Sequence, residues 1–367
     1  MTPKDQLTLH PQQLAEQSAL AAAQGWLGSA IVNPTVGAAA VSQNGQILAA
    51  AAHQRAGQAH AELLVLQHCR EQGLLEQIDG LAVTLEPCNH HGRTPPCVDA
   101  ILQAGVRRVW VGVRDPSPKA GGGIERLRAA GVEVVVPPQK TTNWEQACRQ
   151  QLAPFLYHQQ TGLPWVTVKL ASQAPNPLAG DLSWQNAMIP PPGQRTFTSP
   201  ESLRLAHRLR KRAGALLTGS GTVLVDNPLF TVRHVPDFPD TQRHLVVLDR
   251  RHRVPPSYDA QASQHGFIVQ HADDLIIAIA ALGKAGVLEV LVEAGPTLLT
   301  QIFAQGAWNL LVHIAHPSPV EDDVVTCYLN GDPAAPLPIN FLPRSHQPPP
   351  YLPFNPALFS LENWLPL

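Results

Sequence analysis

Between residues 11 and 136 the chain alternates helix-like stretches with short apolar runs, and glycines close several of them. Pro11 suits a first helical turn and Gly25 follows an alanine-rich stretch as a stop, which predicts a helix between them. Val36 to Ser42 and Gln46 to Ala51 flank Gln43-Asn44-Gly45. Asn-Gly between apolar runs is a strong hairpin signal, because both turn residues tolerate positive φ. Ala61 to Gln72 reads as a helix, and Leu81-Ala82-Val83-Thr84-Leu85 as a buried strand. Val98 to Ala104 is the next helix, stopped by Gly105, and Arg108 to Val113 is another strand. Ile124 to Ala130, then Gly131, then Val132 to Val136 completes a further helix–strand unit. Such alternation predicts an α/β layered fold.

At 367 residues the chain is long enough for two domains, by a prior of roughly 150 residues each. Pro137-Pro138 and the polar stretch to Gly162 read as a connection. A second α/β region follows, with strands near Trp165 to Leu170, Ala215 to Thr218, Leu245 to Leu248 and Val287 to Val292. Its helices are expected at Pro200 to Arg212, Asp273 to Leu282 (with Gly283 as stop) and Thr297 to Ala304. The pattern fades after His316, and a proline-rich stretch including Pro348-Pro349-Pro350 reads as extended. The expected domains are therefore 1–145 and 146–330, with a tail over 331–367.

Charge narrows the partners. Lys plus Arg is 26 against 28 Asp plus Glu, a net charge of −2, which argues against a nucleic-acid binder driven by bulk basic charge. No apolar run approaches the ~20 residues of a membrane span, and the polar N-terminus lacks a signal-peptide core. Five cysteines in a chain this long do not read as a disulfide framework. The expected setting is a reducing cytoplasm, where a close cysteine pair beside histidines favours a metal.

That pair exists. His60-Ala61-Glu62 is followed by Pro87-Cys88-Asn89-His90-His91-Gly92-Arg93-Thr94-Pro95-Pro96-Cys97. One imidazole and two thiolates suit Zn²⁺, and three protein ligands leave a fourth tetrahedral position for water. Water held there ionises near neutral pH and becomes a nucleophile. Zinc cannot shuttle protons, so hydrolytic deamination also needs a carboxylate, and Glu62 stands two residues from His60. Zinc deaminases carry H-x-E with P-C-x-x-C; here eight residues separate Cys88 from Cys97, so the insert must loop out. His90, His91 and Arg93 in it suit a phosphate or a polar heterocycle. The competing readings are a closed structural zinc site with His90 or His91 as fourth ligand, which leaves Glu62 idle, and a cysteine pair without metal. Cys69, Cys148 and Cys327 read as small core or surface residues.

Several strings make the pattern specific: Asn33-Pro34-Thr35-Val36-Gly37, His53-Gln54-Arg55-Ala56-Gly57, His60-Ala61-Glu62, Leu85-Glu86-Pro87-Cys88, His90 to Cys97 and Asp115-Pro116-Ser117-Pro118. With them the chain resembles the bifunctional riboflavin-biosynthesis family, a diaminohydroxyphosphoribosylaminopyrimidine deaminase fused to a 5-amino-6-(5-phosphoribosylamino)uracil reductase. The resemblance implies a cytidine-deaminase-like α/β/α sandwich around zinc, followed by a dihydrofolate-reductase-like α/β domain that uses NADPH. By position it makes His60, Cys88 and Cys97 the ligands and Glu62 the proton carrier. Asn33, His53, His90 and Arg93 fall on substrate positions. The implied substrate is a diaminopyrimidinone bearing ribose 5-phosphate, which loses ammonia before its ribosyl group is reduced to ribityl.

In the second half, the residues themselves offer a glycine turn at Gly219-Ser220-Gly221-Thr222 and another at Val292-Glu293-Ala294-Gly295-Pro296-Thr297, each between a strand and a helix start. Arg210 and Arg233 suit a phosphate by forked hydrogen bonds. The run Thr218 to Arg233 and the Gly295 turn resemble the family's reductase core. By position Thr222, Asp226 and Gly295 would touch NADPH, and Arg210, Arg233 and Glu293 the substrate. The chain departs from the family after Ser172. Gln173-Ala174-Pro175-Asn176-Pro177 stands where Leu-Asp-Gly is usual, and Gln194 and Thr196 occupy a substrate serine and a cofactor-stacking tryptophan position. Trp184 is a candidate substitute. These departures support a second reading, in which the deaminase is active and the reductase-like half is a scaffold or dimerisation module. A third is a zinc-stabilised binding protein without turnover. A homodimer is the assembly considered.

Overall fold

The computed structural model describes residues 10–90, 95–117, 120–137, 142–173, 188, 198–238, 240–316 and 322–330. The chain divides into two compact units at Gln159/Gln160. The expected tail and the rebuilt stretch holding Trp184, Gln194 and Thr196 lie outside the described residues.

The first unit contains α1 (Pro11–Gly25), β1 (Gly37–Ser42), β2 (Ile47–Ala52), α2 (Ala61–Glu71), β3 (Ile78–Leu85), α3 (Cys97–Gln103), β4 (Arg108–Val113), α4 (Gly123–Ala129), β5 (Glu133–Val135) and most of α5 (Asn143–Thr161). Its sheet runs β2-β1-β3-β4-β5. β1 is antiparallel to β2 and β3, while β3, β4 and β5 are parallel. Gly45 has φ of 81° and turns the predicted hairpin. Alanines let α1 sit close: Ala15, Ala19 and Ala23 are buried, and a Cβ at Gly37 would overlap the Ala19 carbonyl. The core joins Val65, Leu81, Val83, Ile101, Val109, Ile124 and Leu127.

The stretch read as a connection is a helix instead. α5 crosses the expected boundary near 145 and belongs to the first unit as far as Gln159. Its polar composition and Pro154 hide a buried face of Trp144, Cys148, Leu152 and Phe155.

The second unit contains β6 (Trp165–Ser172), α6 (Pro200–Arg212), β7 (Ala215–Gly219), α7 (Ser220–Asp226), β8 (Arg243–Leu248), α8 (Pro256–Gln264), β9 (Phe267–Ala272), α9 (Leu275–Lys284), β10 (Glu289–Val292), α10 (Pro296–Ala304), β11 (Leu310–Ala315) and β12 (Val324–Leu329). The sheet runs β12-β11-β6-β10-β7-β8-β9, parallel throughout except for β12. The two α/β architectures match the expected fold class. The sequence reading did not include α7, α8, β9, β11 or β12.

Gly283 is not a helix stop. It lies inside α9, and the left-handed turn comes at Gly286, with φ of 81°. Gly283 is there for packing, since a Cβ would overlap the Gly162 carbonyl oxygen. Helix propensity favours alanine by about 1 kcal/mol, whereas forcing a side chain against fixed backbone costs about 1–3 kcal/mol. Gly283→Ala is therefore expected to lower the stability of the second unit, read as an earlier transition in urea. An unchanged or later midpoint contradicts the packing account.

Candidate active site

His60 is the N-cap of α2, so Glu62 falls in the helix's first turn. Cys88 follows β3, and Cys97 opens α3. Strand end and two helix starts thus deliver three donors to one place: His60 Nδ1, Cys88 Sγ and Cys97 Sγ all lie within 4.8 Å of one another. His60 Nδ1 is 3.2 Å from Cys97 Sγ and 3.6 Å from Cys88 Sγ. Bonds of ~2.0 Å to nitrogen and ~2.3 Å to sulfur put tetrahedral ligand atoms roughly 3.5 Å apart, so the donor set fits zinc in type and spacing. Cys88 Sγ also accepts the Cys97 backbone N–H at 3.4 Å. The Cys97 thiol, the His60 ring and that N–H draw the Cys88 thiol well below its ordinary range, while the anionic neighbour pushes Cys97 up.

Glu62 is 3% exposed, and its Oε2 is buried without a hydrogen-bond partner. Burial raises its carboxyl above 4.5, against the opposing pull of His60. One imidazole, two thiols and a buried carboxylate oxygen beside them fit zinc and its water in chemical type. His90 is exposed and stands outside the three-donor cluster, so among the described residues no fourth ligand closes it. His91 and Arg93 lie outside the described residues.

His53 is buried and edge-on to His60, with ring centroids 5.4 Å apart. Its Nδ1 lies 3.2 Å from the Ala59 carbonyl, which only accepts, so Nδ1 carries the proton. Burial lowers the ring's pKa and keeps it neutral. Nε2 is then an acceptor and takes Asn33 Nδ2 at 3.4 Å. The structure thus brings Asn33 and His53 together beside the three donors.

The sequence reading assigned Glu86 no role. It is buried, and its Oε1 accepts from Gly122 and Ile124 N–H at the start of α4, while Oε2 accepts from Asp115 N–H. This carboxylate fixes the chain just before Cys88. A charged residue at the end of an apolar strand was the available signal.

In the second unit, the C-terminal ends of the parallel strands carry the expected groups. Arg210 grips Glu293 with two bonds, Nε to Oε1 at 2.5 Å and an Nη to Oε2 at 2.9 Å. Lys169 Nζ approaches the same carboxylate at 3.3 Å. Arg210 also donates to the Thr231 carbonyl, and exposed Arg233 donates to Thr231 Oγ1. Burial pushes the Glu293 carboxyl up, but the Arg210 and Lys169 charges overcome it and leave it at about 2. Lys169 was missed, although a lysine inside the buried run Val166 to Leu170 is a visible anomaly.

Between β7 and β10 the crossovers diverge: the chain leaves β7 toward β8 and leaves β10 toward β11 on the other side. Such a switch point opens the crevice where α/β sheets bind nucleotide cofactors. Thr222 and Gly295 meet across it, with Gly295 N–H donating to Thr222 Oγ1 at 3.0 Å. The residues there fit a dinucleotide by position and backbone access. Asp226 is exposed at the far end of α7, and the expected glycine turn at 219–222 is in fact the start of that helix.

No described helix is long and apolar enough to cross a membrane. The sequence matches the family model for the cytidine and deoxycytidylate deaminase zinc-binding region over residues 10–113 and that for the RibD C-terminal domain over 189–320. It is 35% identical over 290 residues to the riboflavin biosynthesis protein RibD of Mycobacterium tuberculosis, covering 78% of this chain and 80% of that protein. It is 33% identical over 337 residues to RibD of Escherichia coli, covering 82% and 86%. The structure resembles Acinetobacter baumannii RibD with a TM-score of 0.67 and 27% identity, over 84% of this chain and 87% of that one. A Thermotoga maritima protein described as a diaminohydroxyphosphoribosylaminopyrimidine deaminase/5-amino-6-(5-phosphoribosylamino)uracil reductase matches with a TM-score of 0.67 and 28% identity, over 85% and 89%. With both domain models in order along one chain, and relatives above 30% identity over most of its length, the chain belongs to the RibD family of riboflavin biosynthesis proteins.

Proposed function

We propose that the two units catalyse successive steps of riboflavin biosynthesis, with His60, Cys88 and Cys97 holding zinc and Glu62 moving the proton. The reading rests above all on the three converging donors beside a buried carboxylate with one oxygen unpartnered. The first reaction replaces the amino group of a phosphoribosylated diaminopyrimidinone by a carbonyl and releases ammonia. Zinc held by His60, Cys88 and Cys97 would acidify water and supply a hydroxide nucleophile near neutral pH. Glu62, buried beside the three donors, takes the water's proton and returns it to the departing amine. Asn33 spends its Nδ2 on His53, while its Oδ1 makes no hydrogen bond among the described residues and is left to accept from the pyrimidine. His90 and Arg93 complete the substrate rim.

The second reaction reduces the ribosyl group, with Thr222, Asp226 and Gly295 holding NADPH, which supplies the hydride. Glu293 fixes Arg210, and Arg210 with Arg233 takes the substrate phosphate. The scaffold reading loses ground: the RibD C-terminal domain match spans 189–320, and Lys169, Arg210 and Glu293 form an assembled polar site. The unpaired thiols of the metal centre suit a cytoplasmic location.

Glu62→Gln should retain zinc yet lose about 10²–10⁴-fold in the rate of ammonia release from the diaminopyrimidinone phosphate, the usual worth of general acid–base catalysis. A fully active variant removes Glu62 from the mechanism. The deaminated product should drive NADPH oxidation, and none at saturating cofactor returns the scaffold reading. Glu293 also sets a pH dependence. Its carboxyl falls from 4.5 to about 2 on folding, so its contribution is complete above 4.5 and is lost as pH drops toward 2. Glu293→Gln leaves two cations facing a neutral amide and should destabilise the second unit by on the order of 2–3 kcal/mol at neutral pH. In urea titrations the gap to wild type should narrow below pH 4.5. A gap that stays constant down to about 2 contradicts the ion-pair account.

A further inference from the structure

α5 lies hard against the first unit's sheet. Cys148 is fully buried, and a Cβ at Gly112 in β4 would overlap its Sγ and crowd the Thr84 carbonyl. Three residues further along the same helix face, the Gln151 side chain is buried and donates from Nε2 to the Thr35 carbonyl at 2.8 Å. The reverse amide orientation is excluded, because it would set two acceptor oxygens face to face. Gln151 Oε1 has no hydrogen-bond partner. A buried amide with one bond made and one oxygen orphaned contributes little net stability, since the lost hydration of the oxygen offsets the gain from the bond. Its presence needs another reason.

The loop it touches supplies one. Val36 O accepts from His53 N–H at 2.8 Å, and Gly37 N–H donates to Thr84 Oγ1 at 3.0 Å, so the loop's downstream end is tied to its own sheet. Upstream, among the described residues, Asn33 has only a reverse-turn bond to Ala30 and the long 3.4 Å contact with His53. Pro34 stiffens the link between Asn33 and Thr35 by fixing φ. A tether on the Thr35 carbonyl therefore fixes Asn33 as well. We propose that Gln151 is a positioning residue for deamination: through Thr35 and Pro34 it holds Asn33 beside His53 at the edge of the His60/Cys88/Cys97 site. The proposal rests on Asn33 contacting the pyrimidine, as read above.

The test measures ammonia release, zinc content, thermal midpoint and NADPH-dependent reduction in the full chain carrying Gln151→Met, Asn33→Ala or both. Gln151→Met keeps length and removes the donor together with the orphaned acceptor. It should raise the deaminase KM roughly tenfold, the effect of weakening the one hydrogen bond from Asn33 to the bound pyrimidine, with kcat nearly unchanged. Zinc content and reductase activity should match wild type, and the thermal midpoint should fall only slightly, because the Thr35 carbonyl loses its donor while the orphaned oxygen is removed with it. With Asn33 already truncated, Gln151→Met should add less than about twofold, because the two residues act through one loop. Gln151→Asn keeps the amide but shortens its reach; it should raise KM by a smaller factor, and it serves if the methionine variant does not fold. A lower thermal midpoint with normal KM assigns Gln151 to the scaffold and overturns the proposal. So does a double variant in which both effects multiply in full. Wild type that releases no ammonia sinks the deaminase reading and the proposal with it. Loss in Asn33→Ala with none in Gln151→Met or Gln151→Asn sinks the Gln151 role alone.

Discussion

Two thiols and an imidazole packed around one point are unfavourable unless something charged is shared among them. Thiolates repel, and a buried thiolate loses hydration that only a strong partner replaces. His60, Cys88 and Cys97 are nevertheless drawn within 4.8 Å by three separate elements, a strand end and two helix starts. The surroundings are arranged to hold them there. Glu86 ties the chain before Cys88 to the start of α4, Asn89 accepts from Arg126, and a Cβ at Gly123 would overlap the Pro87 carbonyl. A divalent ion held there would offset the repulsion, and these contacts fix the backbone that presents the three donors.

The second unit solves a different problem with the same materials. Its parallel sheet needs cover on both faces, which buries most strand residues and leaves the C-terminal edge as the place where polar groups can gather. Glu293 at the end of β10 collects Arg210 from α6 and Lys169 from β6. The Thr222–Gly295 bond crosses the neighbouring crevice. The groups proposed to take substrate charge and cofactor thereby sit at neighbouring strand ends of one sheet, the arrangement that hydride transfer demands of its reactants.

Local signals in the sequence translated well. Pro11, Gly25 and Asn44-Gly45 act on their own backbone, and the structure ends or turns the chain at those residues. The three candidate ligands stood out because their chemistry is rare and their spacing specific, and the structure draws their donor atoms together. What stayed hidden depends on contacts distant in the chain. α5 looked like a connection because polar residues interrupt its apolar ones, two of them, Gln150 and Gln151, on the buried side, and Gln151 has its partner 116 residues away. Gly283 looked like a stop because glycine's commonest helical role is the C-cap, whereas its reason is a carbonyl on another segment. Lys169 was visible as a charge in a buried strand, but its meaning required Glu293, far along the chain and on the next strand over.

The two central carboxylates make the same point in energetic terms. Glu62 and Glu293 are both almost fully buried, and burial pushes both acids up. Glu62 faces a single imidazole in a cluster of thiols and stays raised. Glu293 faces a guanidinium and an ammonium within bonding distance and ends at about 2. An acid that must gain and lose a proton within each turnover needs the first environment. An acid that must stay charged to hold two cations in place needs the second. Equal burial with unequal neighbours thus suits one glutamate to the proton transfer proposed for it and the other to holding a fixed charge.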